Sequence, residues 1–196
     1  MVQLKMSKKN IKKIFKKSVD LRKKILSDKI FVDNIYSSIG LISDCLKNGN
    51  KIMIAGNGGS AADAQHFAAE LVGKLSFKRK ALNCIALTTD TSTLTAVGND
   101  YGFDKIFSRQ IEAIGNEGDI FIGISTSGNS KNIIEAVKEC KDKKITSLCL
   151  LGGKGGKVGQ IADYRIVVPS EETSLIQEIH LSIEHVICSF IENEYI

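Results

Sequence analysis

The 196-residue sequence lacks several features, and each lack narrows the field. No uninterrupted apolar run approaches the length of a bilayer-spanning helix, so no membrane partner is expected. The basic N-terminus has no apolar segment behind it, so no secretory signal is expected. The five cysteines (Cys45, Cys84, Cys140, Cys149 and Cys188) are odd in number and form no Cys-x-x-Cys pair. That argues against a disulfide framework or a cysteine zinc site, and for reduced thiols in a cytoplasmic protein. Proline is nearly absent, with Pro169 alone, and no stretch has linker composition or a solenoid period. One domain over residues 1–196 is therefore expected, long enough to bury a sizeable core.

The net charge of +5 is unevenly spread. Residues 1–29 hold 11 Lys and Arg against Asp20 and Asp28, which leaves 16 basic and 20 acidic residues in the rest. A basic patch able to bind nucleic acid is thus confined to one segment. That segment places Ile11, Ile14, Phe15, Val19, Leu21, Ile25 and Leu26 in a rough helical stripe. The expected role of the stripe is packing on the body or on another subunit, with no nucleic acid involved.

After this helix the pattern predicts a second one over 30–48, completing an N-terminal helical segment 1–49 ahead of an α/β body 50–196. Short β-branched runs then alternate with helical stretches. Strands are expected at 51–55, 82–87, 120–124, 145–151 and 164–168. Helices are expected at 60–75, 104–114, 131–142 and 172–194, with a short turn of helix near 157–162 and a Thr/Ser-rich connection at 88–95. Such alternation predicts a five-stranded parallel sheet covered by helices on both faces.

Residues 119–130, Asp-Ile-Phe-Ile-Gly-Ile-Ser-Thr-Ser-Gly-Asn-Ser, run from a strand into a helix start. Ser125, Thr126, Ser127 and Ser130 crowd four hydroxyls into that junction, where helix N–H groups carry partial positive charge. A phosphate is the expected ligand, and with it a phosphorylated metabolite. Gly56-Asn57-Gly58-Gly59-Ser60 is read as a second polar lip across the C-terminal edge of the sheet. Its Gly-x-Gly-x-x-Ala spacing resembles a dinucleotide fingerprint, but the acidic residue arrives about ten positions late, at Asp90. The glycine-rich stretch 152–159 lacks the Lys-Ser/Thr of a P-loop.

Two helical pairs supply candidate chemistry. His66 and Glu70 are four apart and share a face. Gln177 and His185 are eight apart and point to a common side, with His180 off that line. Together they could provide an acid and a base, or nitrogen and oxygen ligands for zinc.

These residues carry a resemblance. Gly56-Asn-Gly-Gly-Ser60, His66-Phe-Ala-Ala-Glu70-Leu, Val97-Gly-Asn-Asp-Tyr-Gly-Phe103, Ile106-Phe-Ser-Arg-Gln110, Gly123-Ile-Ser-Thr-Ser-Gly-Asn-Ser130 and Ile176-Gln-Glu-Ile-His180 with His185 are similar to the motifs of SIS-fold phosphoheptose isomerases, in the same order. The resemblance implies an aldose–ketose isomerase converting sedoheptulose 7-phosphate to D-glycero-D-manno-heptose 7-phosphate for surface glycans. It implies a cytoplasmic homotetramer with sites at subunit interfaces and the leading helices in a central bundle. Glu70 would be the base and His185 the acid. Asn57, Gly58, Gly59, Ser60, Glu70, Asn99, Asp100, Ser125, Thr126, Ser127, Ser130 and Gln177 would contact the sugar phosphate. His66, Glu70, Gln177 and His185 would hold one Zn2+ per subunit. Lys74 stands where the family often has Arg, and the connection 75–81 lacks the customary proline.

The alternative is a non-catalytic SIS protein that binds the bacterial replication initiator. Such proteins share the loops but lack the Glu and the second helical His, both of which stand here. A SIS regulator that senses sugar phosphates would be expected to bring a DNA-binding domain, for which this sequence has no counterpart.

Overall fold

The computed structural model describes residues 6–195, so residues 1–5 of the expected helical segment lie outside the described range. Five strands, β1 (Ile52–Gly56), β2 (Cys84–Ala86), β3 (Ile120–Ser125), β4 (Thr146–Gly152) and β5 (Tyr164–Val168), pair in the order β2-β1-β3-β4-β5, every pair parallel. Eight α-helices accompany them among the described residues: α1 (Lys8–Leu26), α2 (Lys29–Lys47), α3 (Gly59–Val72), α4 (Thr91–Asp100), α5 (Ser108–Ile114), α6 (Lys131–Asp142), α7 (Val158–Ile161) and α8 (Thr173–Asn193). The expected SIS-type α/β architecture with two leading helices is therefore the one observed.

Strand alternation sorts the core into two layers. Ile52, Ile54, Ile120, Ile122, Ile124, Leu148, Leu150, Ile166 and Val168 pack with residues of α1, α2, α3 and α8 on one face. Met53, Ala55, Phe121, Cys149 and Leu151 pack with α5, α6 and α7 on the other. Each fully buried side chain of this kind contributes roughly 1.5–3 kcal/mol by leaving water. The mostly apolar runs of β1, β3 and β4 follow from burial on both faces, while the edge strands β2 and β5 are partly exposed.

Three expectations need correction. The Thr/Ser-rich connection 88–95 runs into helix α4: Asp90 caps its start by accepting bonds from the Thr93 N–H (3.0 Å) and hydroxyl (2.7 Å), while Leu94 and Val97 pack on the core. Capping and one apolar face outweigh the weak helix preference of threonine. The helix expected at 104–114 is divided into a 3-10 turn at Phe103–Lys105 and α5. The strand expected over 82–87 is only three residues long, as an edge with one pairing partner.

Helix α1 lies along α8, through Lys17 to Glu172 (2.7 Å), Ser18 to Glu178 (2.6 Å) and Arg22 to Ser182 (2.9 Å). Of its apolar stripe only Leu21 and Ile25 are buried; Ile11, Ile14, Phe15, Val19 and Leu26 stay exposed. The stripe thus packs on the body over its second half only.

Candidate active site

In a sheet of order 2-1-3-4-5 the chain leaves β1 through α3 on one face and β3 through α6 on the other, and a crevice opens beyond the carboxyl ends of β1 and β3. Gly56 pairs with Ile124 there, so the two polar lips emerge side by side. They are joined by an interaction the sequence did not advertise. Asn57 and Asn132, the second residue of α6, exchange amide hydrogen bonds of 2.9 and 2.8 Å. Asn132 is buried, and each amide donates to the other's carbonyl oxygen.

On the second lip, Ser125 is buried at the end of β3 and its Oγ lies 2.9 Å from Ser130 Oγ. Ser130, the residue before α6, makes no side-chain capping bond; its carbonyl accepts from the Ile133 and Ile134 N–H groups, which leaves those of Lys131 and Asn132 facing the loop. Ser127 is exposed, its Oγ accepting from the Asn129 N–H at 3.1 Å, and Thr126 is half-buried. Concentrated hydroxyl and N–H donors of this kind suit a phosphate.

The glycine-rich stretch 152–159 braces this lip. Gly128 and Gly155 both have positive φ, and a Cβ on Gly128 would lie 2.1 Å from the Gly155 carbonyl oxygen. Val158 N–H donates to Gly128 O (2.8 Å) and Lys157 N–H to Asn129 Oδ1 (3.1 Å). Only glycines permit such contact between two backbones. The density of glycines was the signal in the sequence, and backbone bracing is what it meant.

Helices α3 and α8 run beside each other in the same direction. A Cβ on Gly59, at the start of α3, would strike the Gln177 amide at 2.4 Å; seven residues further along α3, His66 meets His185, eight residues beyond Gln177. The rise of a helix places these two meeting points about 10 Å apart. The imidazoles are edge-to-face, with Nε2 atoms 2.9 Å apart, and Glu70 Oε1 is 3.4 Å from His66 Nε2. The ligand atoms of His66, Glu70 and His185 all lie within 4.8 Å of one another.

This trio fits a cation. Two unprotonated Nε2 lone pairs facing each other would repel, so the contact requires a proton on one ring or a positive ion shared by both. Glu70 Oε2 is buried without a hydrogen-bond partner. Two imidazoles and a carboxylate form a zinc-type donor set. Gln177, the fourth expected ligand, packs against Gly59.

Other expected contacts are placed differently. Gly58 and Gly59 are exposed at the turn into α3, with Ser60 buried behind them. Asn99 and Asp100 are exposed at the end of α4 and bond to each other at 2.7 Å. His180 is buried under the sheet edge with Nε2 3.1 Å from the Leu151 carbonyl oxygen, and burial pulls its pKa down to about 4. Glu184, beside His185, is 1% exposed with both oxygens unpartnered; burial, and then the charge of Asp63, push it up to about 8. Burial likewise raises the thiols, Cys45 to about 11, so they carry no nucleophile at neutral pH.

Residues 15–152 match the model of the SIS domain family. The chain is 51% identical over 182 residues to a phosphoheptose isomerase of Aquifex aeolicus, covering 93% of this chain and 94% of that one. It is 52% identical over 187 residues to that of Sulfurimonas denitrificans, covering 95% and 96%. This chain belongs to the phosphoheptose isomerase family of SIS domains.

Solved phosphoheptose isomerases have the same fold. That of Francisella tularensis superposes with a TM-score of 0.92 at 38% identity, covering 96% of this chain and all of that one. That of Neisseria gonorrhoeae gives 0.88 at 43% identity, covering 94% and 98%.

Proposed function

We propose that this protein is an aldose–ketose isomerase that interconverts sedoheptulose 7-phosphate and D-glycero-D-manno-heptose 7-phosphate, supplying heptose for surface glycans. The observation that carries the reading is the meeting of His66, Glu70 and His185 on two helices that also border the phosphate lip. Relatives named phosphoheptose isomerase at about half identity support the substrate.

The reaction moves a proton between C1 and C2 and protons between the two oxygens. Ser125, Thr126, Ser127 and Ser130 anchor the phosphate, with Asn57, Gly58, Gly59, Ser60, Asn99, Asp100 and Gln177 contacting the sugar. Phosphorus and C2 of an extended heptulose 7-phosphate are seven bonds apart, a length comparable to the spacing of the two α3–α8 meeting points. One fixed anchor thereby delivers the carbon acid to Glu70, which takes and returns the proton. His185 serves the oxygens as acid. His66, Glu70 and His185 would hold a zinc ion, with Gln177 completing the set only by turning away from Gly59; such an ion would polarise the carbonyl and offset enediolate charge.

The exposed half of the α1 stripe supports assembly of copies through the leading helices, as a tetramer in the cytoplasm. A replication-initiator partner is not favoured, because Glu70 and His185 are both present and adjacent. Incubating the pure protein with sedoheptulose 7-phosphate tests the function: appearance of the aldose supports it, and absence of turnover in folded, zinc-supplied protein overturns it.

A further inference from the structure

Glu70 sits in the last turn of α3, where carbonyls lack helical partners and ends fray. No left-handed glycine cap closes this end, because Gly73 has φ −84°. The Gly73 N–H reaches Ala69 O at 2.8 Å and the Leu82 N–H reaches Leu71 O at 3.1 Å; Arg79 supplies the donor to Glu70 O and a second donor to Leu71 O. Its Nη2 donates to the carbonyl of Glu70 at 2.7 Å and its Nη1 to that of Leu71 at 2.8 Å. A cation at a helix C-terminus is favoured by the helix dipole as well.

Arg79 is itself fixed. Its side chain is 1% exposed, with Nε 3.6 Å from Oε1 of Glu192, which is 2% exposed on α8. Glu192 spends its oxygens on the other side of the same connection, accepting from the N–H groups of Leu75 (3.0 Å) and Ser76 (2.7 Å). So one charge closes α3 and the other pins the segment that carries the first, each offsetting the burial cost of its partner. This also answers how the connection 75–81 is held without its customary proline. The Glu70 carboxylate has a weak lateral tie, His66 at 3.4 Å, so its position follows its backbone.

We propose that Arg79, held by Glu192, is a positioning residue that sets the placement of the Glu70 carboxylate. This rests on the reading of Glu70 as the base. Misplacing a reacting group by about 1 Å costs on the order of 100-fold in rate, while the phosphate lip lies at the opposite end of α3. The expected signature is therefore a fall in kcat at nearly constant KM.

The test is steady-state kinetics with sedoheptulose 7-phosphate on full-length Arg79→Lys, which keeps the charge but loses the two-pronged grip. A kcat reduced by roughly 10–100-fold, with KM within about twofold, is expected. Zinc affinity, measured by competition with a chromophoric chelator, should fall as well. Unchanged kcat and zinc affinity in folded protein, or a rise in KM alone, would overturn the proposal. Should Arg79→Lys fail to fold, Glu192→Gln is judged by the same criteria. Glu70→Gln separates the two ideas. If it stays active, the base assignment fails; if it is inactive while Arg79→Lys matches wild type, only the positioning role fails.

Discussion

His66 and His185 come from helices 119 residues apart in sequence, yet their Nε2 atoms face each other at 2.9 Å. Nothing local to either helix requires that contact. It exists because α3 and α8 pack side by side on the same face of the sheet, and it gives Glu70 a polar, partly enclosed setting.

Glu70→Gln removes the carboxylate proposed as proton acceptor while preserving shape. Isomerisation should fall by roughly 10²–10⁴-fold, with an unchanged circular dichroism spectrum. Retained turnover would transfer the base role to another group.

Protein purified without chelator should contain one zinc per chain by elemental analysis. His66→Ala removes one of three clustered donors and should weaken zinc by more than the roughly 10–100-fold that loss of a ligand's outer partner costs. Competition against a chromophoric chelator measures it.

Ser125→Ala and Ser130→Ala each remove one member of a hydroxyl pair 2.9 Å apart. KM for the sugar phosphate should rise and inhibition by inorganic phosphate should weaken. Each lost bond to a charged group is worth about 1.5–3 kcal/mol, a factor of roughly 10–150. Weakened inhibition by inorganic phosphate is the decisive readout, since it isolates the anchor from the chemistry.

His180 and Glu184 should tilt the stability curve in opposite directions. His180 is lowered to about 4 by burial, so its contribution is present above pH 6.5 and lost as pH falls toward 4. Glu184 is raised to about 8, so its folded form keeps a proton that the unfolded chain has released, and stability falls as pH rises from 4.5 to 8. His180→Leu should cost less at pH 5 than at pH 7.5, by up to about 2 kcal/mol. Glu184→Gln should gain more at pH 8 than at pH 5. Denaturant titrations at these pH values measure both.

Some of this was legible early. The alternation of β-branched runs with helical stretches predicted the sheet, because a parallel strand buried on both faces must be apolar throughout. The hydroxyl cluster at Ser125–Ser130 was visible in the sequence, and the structure places it at the end of β3 with Ser125 and Ser130 paired. Helix α4 was hidden because threonine-rich sequence reads as loop until Asp90 is seen capping it and Leu94 is seen packed. Arg79 and Glu192 carried no signal in the sequence, since burial of an ion pair leaves no trace in residue spacing.

The sequence by itself determined the parallel sheet and offered the candidate site side chains, for apolar runs buried on both faces, hydroxyls at a strand–helix junction and a His–Glu pair one turn apart are local patterns. Only the tertiary structure decided that the histidines of α3 and α8 meet, that Asn57 bonds Asn132, and that a glycine-rich loop braces the phosphate lip. Those relationships depend on helix packing and strand order, which act between segments far apart along the chain and so cannot be read from any one of them.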